Sequence, residues 1–191
     1  MPNLMVIIGS TRPGRAGLPI GQWFADFATK HGGFDVQVAD LAEIGLPLLA
    51  DPHHPRLKKY VHQHTWDWSA KVESADAFVI VTPEYNYGYP AAVKNALDHL
   101  SQEWAYAPVG FVSYGGIAAG TRAVQQLKQV VTTLRMLPVF ESVNIPFHAP
   151  LIADGVFTPA GSTEDAATAM LDELVKVEAG VRQLRSGVRA G

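Results

Sequence analysis

The chain has 191 residues, 48% of them hydrophobic and 17% charged, which is enough for one sizeable core and short for two. A formal net charge of −3 does not favour nucleic acid or an acidic membrane surface as partner. There is no cysteine, which removes disulfides, thiolate nucleophiles, CxxC redox motifs and cysteine-held iron–sulfur clusters, so any redox chemistry must come from a bound cofactor.

The segment "LMVIIG" (4–9) has no polar alternation and reads as a strand buried on both faces. It runs into "GSTRPGRAG", small and basic residues that suggest a phosphate cradle. Gly9 and Gly14 have the spacing of a phosphate-loop nucleotide site, but Arg15 and Ala16 stand where that motif needs Lys and a magnesium-binding hydroxyl. G-x-G-x-x-G is also absent. What remains suits a terminal phosphate held without metal, by the Ser10 and Thr11 hydroxyls, backbone N–H groups, the positive end of the next helix, and Arg12 and Arg15. A plain strand–helix turn with two solvated arginines explains this loop, taken alone, equally well.

Helical spacing of Ile20, Trp23, Phe24 and Phe27 follows, stopped by "HGG" at 31–33. "FDVQVADL" (34–41) alternates like an outer strand. Residues 45–70 carry several prolines and resist placement, apart from a helix expected over 64–73 before the third strand. Here His53, His54, His62 and His64 invite a metal reading, but with Asp51 and Asp67 the only nearby acids a solvated loop fits better. Trp66 and Trp68 are two apart, so on a helix they diverge, one to the core and the other to the surface or a subunit interface.

"DAFVIVTP" (76–83) is the third strand, again wholly apolar. Its loop, "EYNYGY", offers three tyrosines and an amide, Asn86, able both to donate and to accept at the edge of a heterocycle. Pro90 opens a helix with Val93, Ala96, Leu97 and Leu100 on one face. On it Asp98 and His99 fit a solvated or subunit-facing surface better than an acid/base pair. "VGFVSYGG" (109–116) gives a fourth strand and a small-residue loop that lets backbone approach a flat ring. A helix with Val124, Leu127, Val131 and Leu134 follows, then a weaker fifth strand, "FESVNIP" (140–146). The last helix begins near "GSTED", capped by Ser162 or Thr163.

Strands alternating with helices in this way predict one α/β domain over 1–191. Its architecture is a doubly wound, flavodoxin-like, five-stranded parallel sheet of order 2-1-3-4-5, with helices on both faces. Ligands then bind beyond the carboxyl ends of the strands, at the loops 10–19, 83–89 and 113–120.

Taken together, "GSTRPGR", "VTPEYNYGYPAAVKNALD" and "FVSYGGIAAG" resemble the NAD(P)H-dependent FMN reductases, a flavodoxin-like family that includes quinone, chromate and azo-dye reductases. The resemblance spans residues 4–146 and is most specific in P-E-Y-N followed by K-N-A-x-D. It departs from some relatives in the basic "RPGRAG" form of the first loop. It implies FMN as cofactor and NADPH or NADH as reductant, with hydride passing to bound FMN and then to a quinone, flavin or similar small acceptor by ping-pong. It implies that Ser10, Thr11, Arg12 and Arg15 hold the FMN phosphate. Pro83, Glu84, Tyr85 and Asn86 would line the isoalloxazine, largely through backbone groups, and Ser113, Tyr114, Gly115 and Gly116 would close its far side. No side chain is assigned as a general acid or base, and no metal is expected. A homodimer or homotetramer is implied. Net charge, the lack of an apolar run of membrane-spanning length and the short apolar stretch at the N-terminus lead separately to the expectation of a cytoplasmic location with no nucleic-acid or membrane partner. The rival expectation is a flavodoxin-type electron carrier without its own NAD(P)H reductase activity, although such carriers are usually strongly acidic.

Overall fold

Period-two alternation along three strands divides the molecule into layers. In the computed structural model, which describes residues 1–189, β1 (Asn3–Ile8) sends Met5 and Ile7 to one face and Leu4 and Val6 to the other. After α1 (Gly17–His31), β2 (Asp35–Asp40) pairs with β1 in parallel. The short α2 (Leu41–Ile44) and then α3 (Gln63–Glu73) lead to β3 (Ala77–Pro83), which pairs with the other side of β1. α4 (Ala91–Asp98), β4 (Pro108–Tyr114) and α5 (Thr121–Thr133) continue the winding.

The predicted fifth strand is divided. β5 (Leu137–Pro138) pairs with the start of β4, and β6 (Val143–Ile145) pairs with its end, both in parallel. Between them the chain leaves the sheet at Phe140, a residue 83% exposed. Pro138 has no N–H to give a ladder, so an edge position is the one it tolerates. The order β2-β1-β3-β4-β5 is the doubly wound arrangement expected from the sequence, with β6 extending the fifth position. A two-stranded antiparallel ribbon, β7 (Ile152–Ala153) and β8 (Val156–Phe157), precedes α6 (Thr163–Arg189). The Ser162 carbonyl accepts the Ala166 N–H and the Thr163 hydroxyl turns back to Ala160, so Ser162 takes the capping position through its backbone.

One face of the sheet packs Ile20 and Phe24 of α1 and Met170, Leu171 and Leu174 of α6. The other packs Trp68 and Val72 of α3, Leu97 of α4 and Leu127 of α5 around Phe78, Ile80 and Phe111. Trp68 is buried and Trp66 half-exposed, the divergence that a spacing of two requires on a helix. No helix among the described residues is long and apolar enough to cross a membrane.

The segment 45–70 is held by polar staples, which is why apolar periodicity did not reveal it. The Asn95 side chain donates to Pro47 O and accepts from Leu49 N–H. Asp51 accepts from Val61 N–H at 2.7 Å and Thr65 Oγ1 at 2.6 Å. Burial pushes the Asp51 carboxyl up, but the Thr65 and Val61 donors and His62 outweigh it, leaving it below its ordinary 3.8. A carboxylate held down in the fold stabilises above its unfolded value and loses that contribution as pH falls through the folded one. Asp51→Asn is therefore expected to flatten the acid limb of a stability-versus-pH curve below about pH 4, measured by thermal melts. Nearby, the His62 and His64 rings stack 5.1 Å apart. Among the described residues no group of three or more His, Asp or Glu converges as a metal site would.

Candidate active site

The carboxyl ends of β1, β3 and β4 lie side by side, so the loops leaving them meet at one edge of the sheet. They enclose an open cleft of about 390 Å3, bounded by Arg12, Gly14 and Arg15 at one end, Pro83, Glu84 and Tyr85 along one side, and Tyr114, Gly115, Gly116 and His148 along the other. That volume falls within the ~300–1,000 Å3 of small-molecule sites. A larger hollow of about 730 Å3, among Leu49, Arg56, Leu100 and Arg135, lies where α4 and α5 return to the amino ends of the strands. It has no converging strand-end loops.

The first loop is built to receive an anion. Thr11, Arg12 and Gly14 are exposed, and among the described residues no hydrogen bond engages their backbone N–H groups. α1 starts without a side-chain cap, because its N-cap is Ala16, and its first internal bond is Ile20 N–H to Ala16 O. Its leading N–H groups and positive dipole end thus face the loop unspent. Gly9 is required here, since a Cβ would meet a Val93 methyl at 2.5 Å and Val81 O at 3.1 Å. The two arginines differ in kind. Arg12 is exposed and makes no ion pair among the described residues, whereas Arg15 is paired with Asp40 at the end of β2, where Asp40 also caps α2 through Ala42 N–H.

In the second loop, Tyr85 and Gly88 exchange both backbone hydrogen bonds across Asn86 and Tyr87, whose φ values are 49° and 78°. Two successive left-handed residues make a type I′ turn. For tyrosine that conformation is strained, and it persists only where surroundings enforce it. Three contacts from α5 do so: Arg122 pairs with Glu84, its guanidinium stacks 4.4 Å over the Tyr87 ring, and Gln126 donates to Tyr87 O. The Glu84 side chain is 8% exposed, and its second carboxylate oxygen has no partner. Arg122→Ala is expected to weaken FMN binding severalfold in a fluorescence titration. Arg122→Lys restores only part of it, because an ammonium cannot pair with Glu84 and stack on Tyr87 with one planar group.

Of the third-loop residues, Ser113 lies buried within β4, its hydroxyl donates to Asn144 Oδ1 of β6 and its backbone is in register with Thr82 and Asn144, so it stands behind the cleft wall and does not line it. Gly115 and Gly116 form the wall, and Gly116 has open space around its Cα. Tyr114 is buried, with its ring edge-on to His148 at 5.0 Å, and burial pushes its hydroxyl far above the ordinary value, aided by Tyr85 and partly offset by Ser10 and Arg15. It is neutral throughout the physiological range. The Ser10 hydroxyl meets Tyr85 Oη at 2.6 Å, joining the first and second loops.

Sequence reasoning missed Asp40, Arg122, Gln126, Asn144 and His148. His148 comes to the cleft because Phe147 turns back with φ 47° and His148 Nδ1 lies 3.1 Å from Gly115 O. No local pattern marks such a residue.

These features fit FMN. A dianionic phosphate suits the uncapped α1 end and Arg12, and a flat ring suits a cleft walled by glycine backbone on one side and the Pro83–Tyr85 segment on the other. The profile of the NADPH-dependent FMN reductase family matches residues 2–149. An NAD(P)H-dependent FMN reductase of Schizosaccharomyces pombe is 39% identical over 163 residues, 83% of this chain and 80% of that protein. An FMN-dependent NADPH-azoreductase of Staphylococcus saprophyticus is 28% identical over 131 residues, 68% of this chain and 69% of its own. Among solved structures, a flavoenzyme NAD(P)H:(acceptor) oxidoreductase of Paracoccus denitrificans superposes with a TM-score of 0.75 over 94% of this chain and 98% of that one. Its identity is 22%, so this likeness speaks for the fold.

Proposed function

The chain belongs to the NADPH-dependent FMN reductase family, oxidoreductases that use FMN and NAD(P)H, and we propose that it reduces a quinone, a free flavin or a similar small acceptor by a ping-pong mechanism. Bound FMN supplies the relay of two electrons between the nicotinamide and the acceptor. What carries the reading is the meeting of three strand-end loops around one cleft, cationic and donor-rich at the α1 end, flat and glycine-walled beyond it.

The chain's own part is binding and orientation. Ser10, Thr11 and Arg12 hold the phosphate, and Arg15, anchored on Asp40, adds positive charge behind them. Pro83, Glu84, Tyr85 and Asn86 present backbone and ring surface to the isoalloxazine, held in place by Arg122 and Gln126. Tyr114, Gly115 and Gly116 form the opposite side, with Ser113 behind them holding β4 to Asn144. The exposed rings of Tyr85 and Tyr87 leave the mouth open and aromatic, a slot in which nicotinamide and acceptor stack in turn. A homo-oligomer belongs to the same proposal, supported by the exposed apolar residues Leu48, Leu57, Val61 and Trp66 along one stretch of chain.

Shared use of one slot fixes the kinetics. Initial rates varied against NADPH at several fixed quinone concentrations are expected to give parallel double-reciprocal lines. Intersecting lines would require both substrates to be bound at once and would refute the shared slot.

A further inference from the structure

Tyr114 ends β4 with only 3% of its surface exposed, and its hydroxyl oxygen is shut off from solvent. Glycine geometry fixes where that oxygen lies. A Cβ built on Gly17 would stand 2.6 Å from Tyr114 Oη and 3.4 Å from Ser10 Cβ. The hydroxyl therefore sits beneath the first turn of α1, beside the serine of the phosphate loop, and not along the flat part of the cleft. Among the described residues no hydrogen bond of normal geometry reaches it, although the Ser10 hydroxyl is close enough to act on it. A buried hydroxyl without a partner is costly, and phenylalanine would fill the same space against His148 without that cost. The turn above it is unpaired as well, since Ala16 provides no cap and Pro19 has no N–H.

Resting on the reading that the cleft takes FMN, we propose that Tyr114 serves the phosphate end of the site, as a positioning residue acting through Ser10. Its O–H donates to Ser10 Oγ, and Ser10 then gives its own proton to a phosphate oxygen instead of sharing it with Tyr85. Every proton stays on its own oxygen, so no group titrates. Gly17 belongs to the same device, because a side chain there would occupy the position of Tyr114 Oη. The ligand chemistry is a phosphate monoester at a helix N-terminus, with a hydroxyl relay as its floor.

The test compares FMN with riboflavin, which lacks the phosphate, in equilibrium fluorescence titrations of the full chain and its Tyr114→Phe variant. The variant is expected to bind FMN roughly tenfold more weakly, the worth of about one hydrogen bond between Tyr114 and Ser10. Its riboflavin affinity stays within twofold of wild type, and its thermal midpoint without flavin is equal or higher. Ser10→Ala alone weakens FMN binding to a similar extent, and adding Tyr114→Phe to it costs little more. Equal weakening of FMN and riboflavin would place the hydroxyl at the ring or ribityl chain and overturn the assignment. So would unchanged FMN binding, or fully additive losses in the double variant. A wild-type chain that binds neither flavin overturns the cofactor reading itself, an outcome visible before any variant is made.

Discussion

Gly120→Ala is expected to abolish FMN retention and to lower the thermal midpoint by about 4–8 °C. Gly120 is the N-cap of α5 with φ 78°, and a Cβ there would lie 2.9 Å from both the N and the O of Tyr114 and 3.0 Å from Ser113 Cβ. Left-handed backbone costs an L-residue about 1–2 kcal/mol, or about 2–4 °C per kcal/mol in a chain of this size. The contacts add to that, because the backbone of β4 cannot swing aside like the end of a flexible side chain. Relief comes only by moving the 114–120 loop, and with it the Gly115–Gly116 wall of the cleft. Gly116→Ala is the control. Its Cβ meets nothing within 4 Å, so its melting curve should match wild type. A Gly120→Ala chain that melts normally and retains FMN would show that this loop does not form the flavin site.

The second large effect separates the two arginines of the first loop. Arg15→Ala removes the cation paired with Asp40, a carboxylate only 5% exposed. Breaking a buried pair from one side costs roughly 3–5 kcal/mol. The flavin-free chain is therefore expected to lose about 6–20 °C in its melting midpoint. Adding Asp40→Asn should recover part of the loss, since the uncompensated charge is gone while a side-chain oxygen remains to cap Ala42. Arg12→Ala should do the reverse, leaving the melt unchanged while weakening FMN by about tenfold or more, because its exposed guanidinium is free for the phosphate. If Arg15→Ala melted like wild type and lost only FMN affinity, Arg15 would be a phosphate ligand first and a support for the loop second.

How far the sequence could be read follows from the range of the interactions involved. β1, β3 and β4 are buried on both faces, so "LMVII", "AFVIV" and "VGFV" announce themselves as short apolar runs, and their order fixes the sheet. The three loops were legible because a doubly wound sheet gathers the carboxyl ends of its strands. The division of the fifth strand was not, since an edge strand interrupted between Pro138 and Val143 keeps no strict period. Nor were Arg122, Gln126 and Asp40. Arg122 reaches Glu84 and Arg15 reaches Asp40 only after folding, and nothing within a few residues of either arginine signals its partner. Its place at the end of β4 marks Tyr114 as a candidate residue. The direction of its hydroxyl, set by the close approach of Gly17, required the three-dimensional fold. The segment 45–70 is ordered by side chains such as Asp51 and Asn95 acting on distant backbone, a pattern without period.

FMN binding in this cleft and its reduction by NAD(P)H are read from one visible spectrum. The purified chain, mixed with excess FMN and desalted, should retain a visible band at about 450 nm that bleaches when NADPH is added without oxygen. A retained band that NADPH leaves untouched would contradict the reductase account and favour an electron carrier. Failure to hold FMN, confirmed by an equilibrium titration, would contradict the site itself.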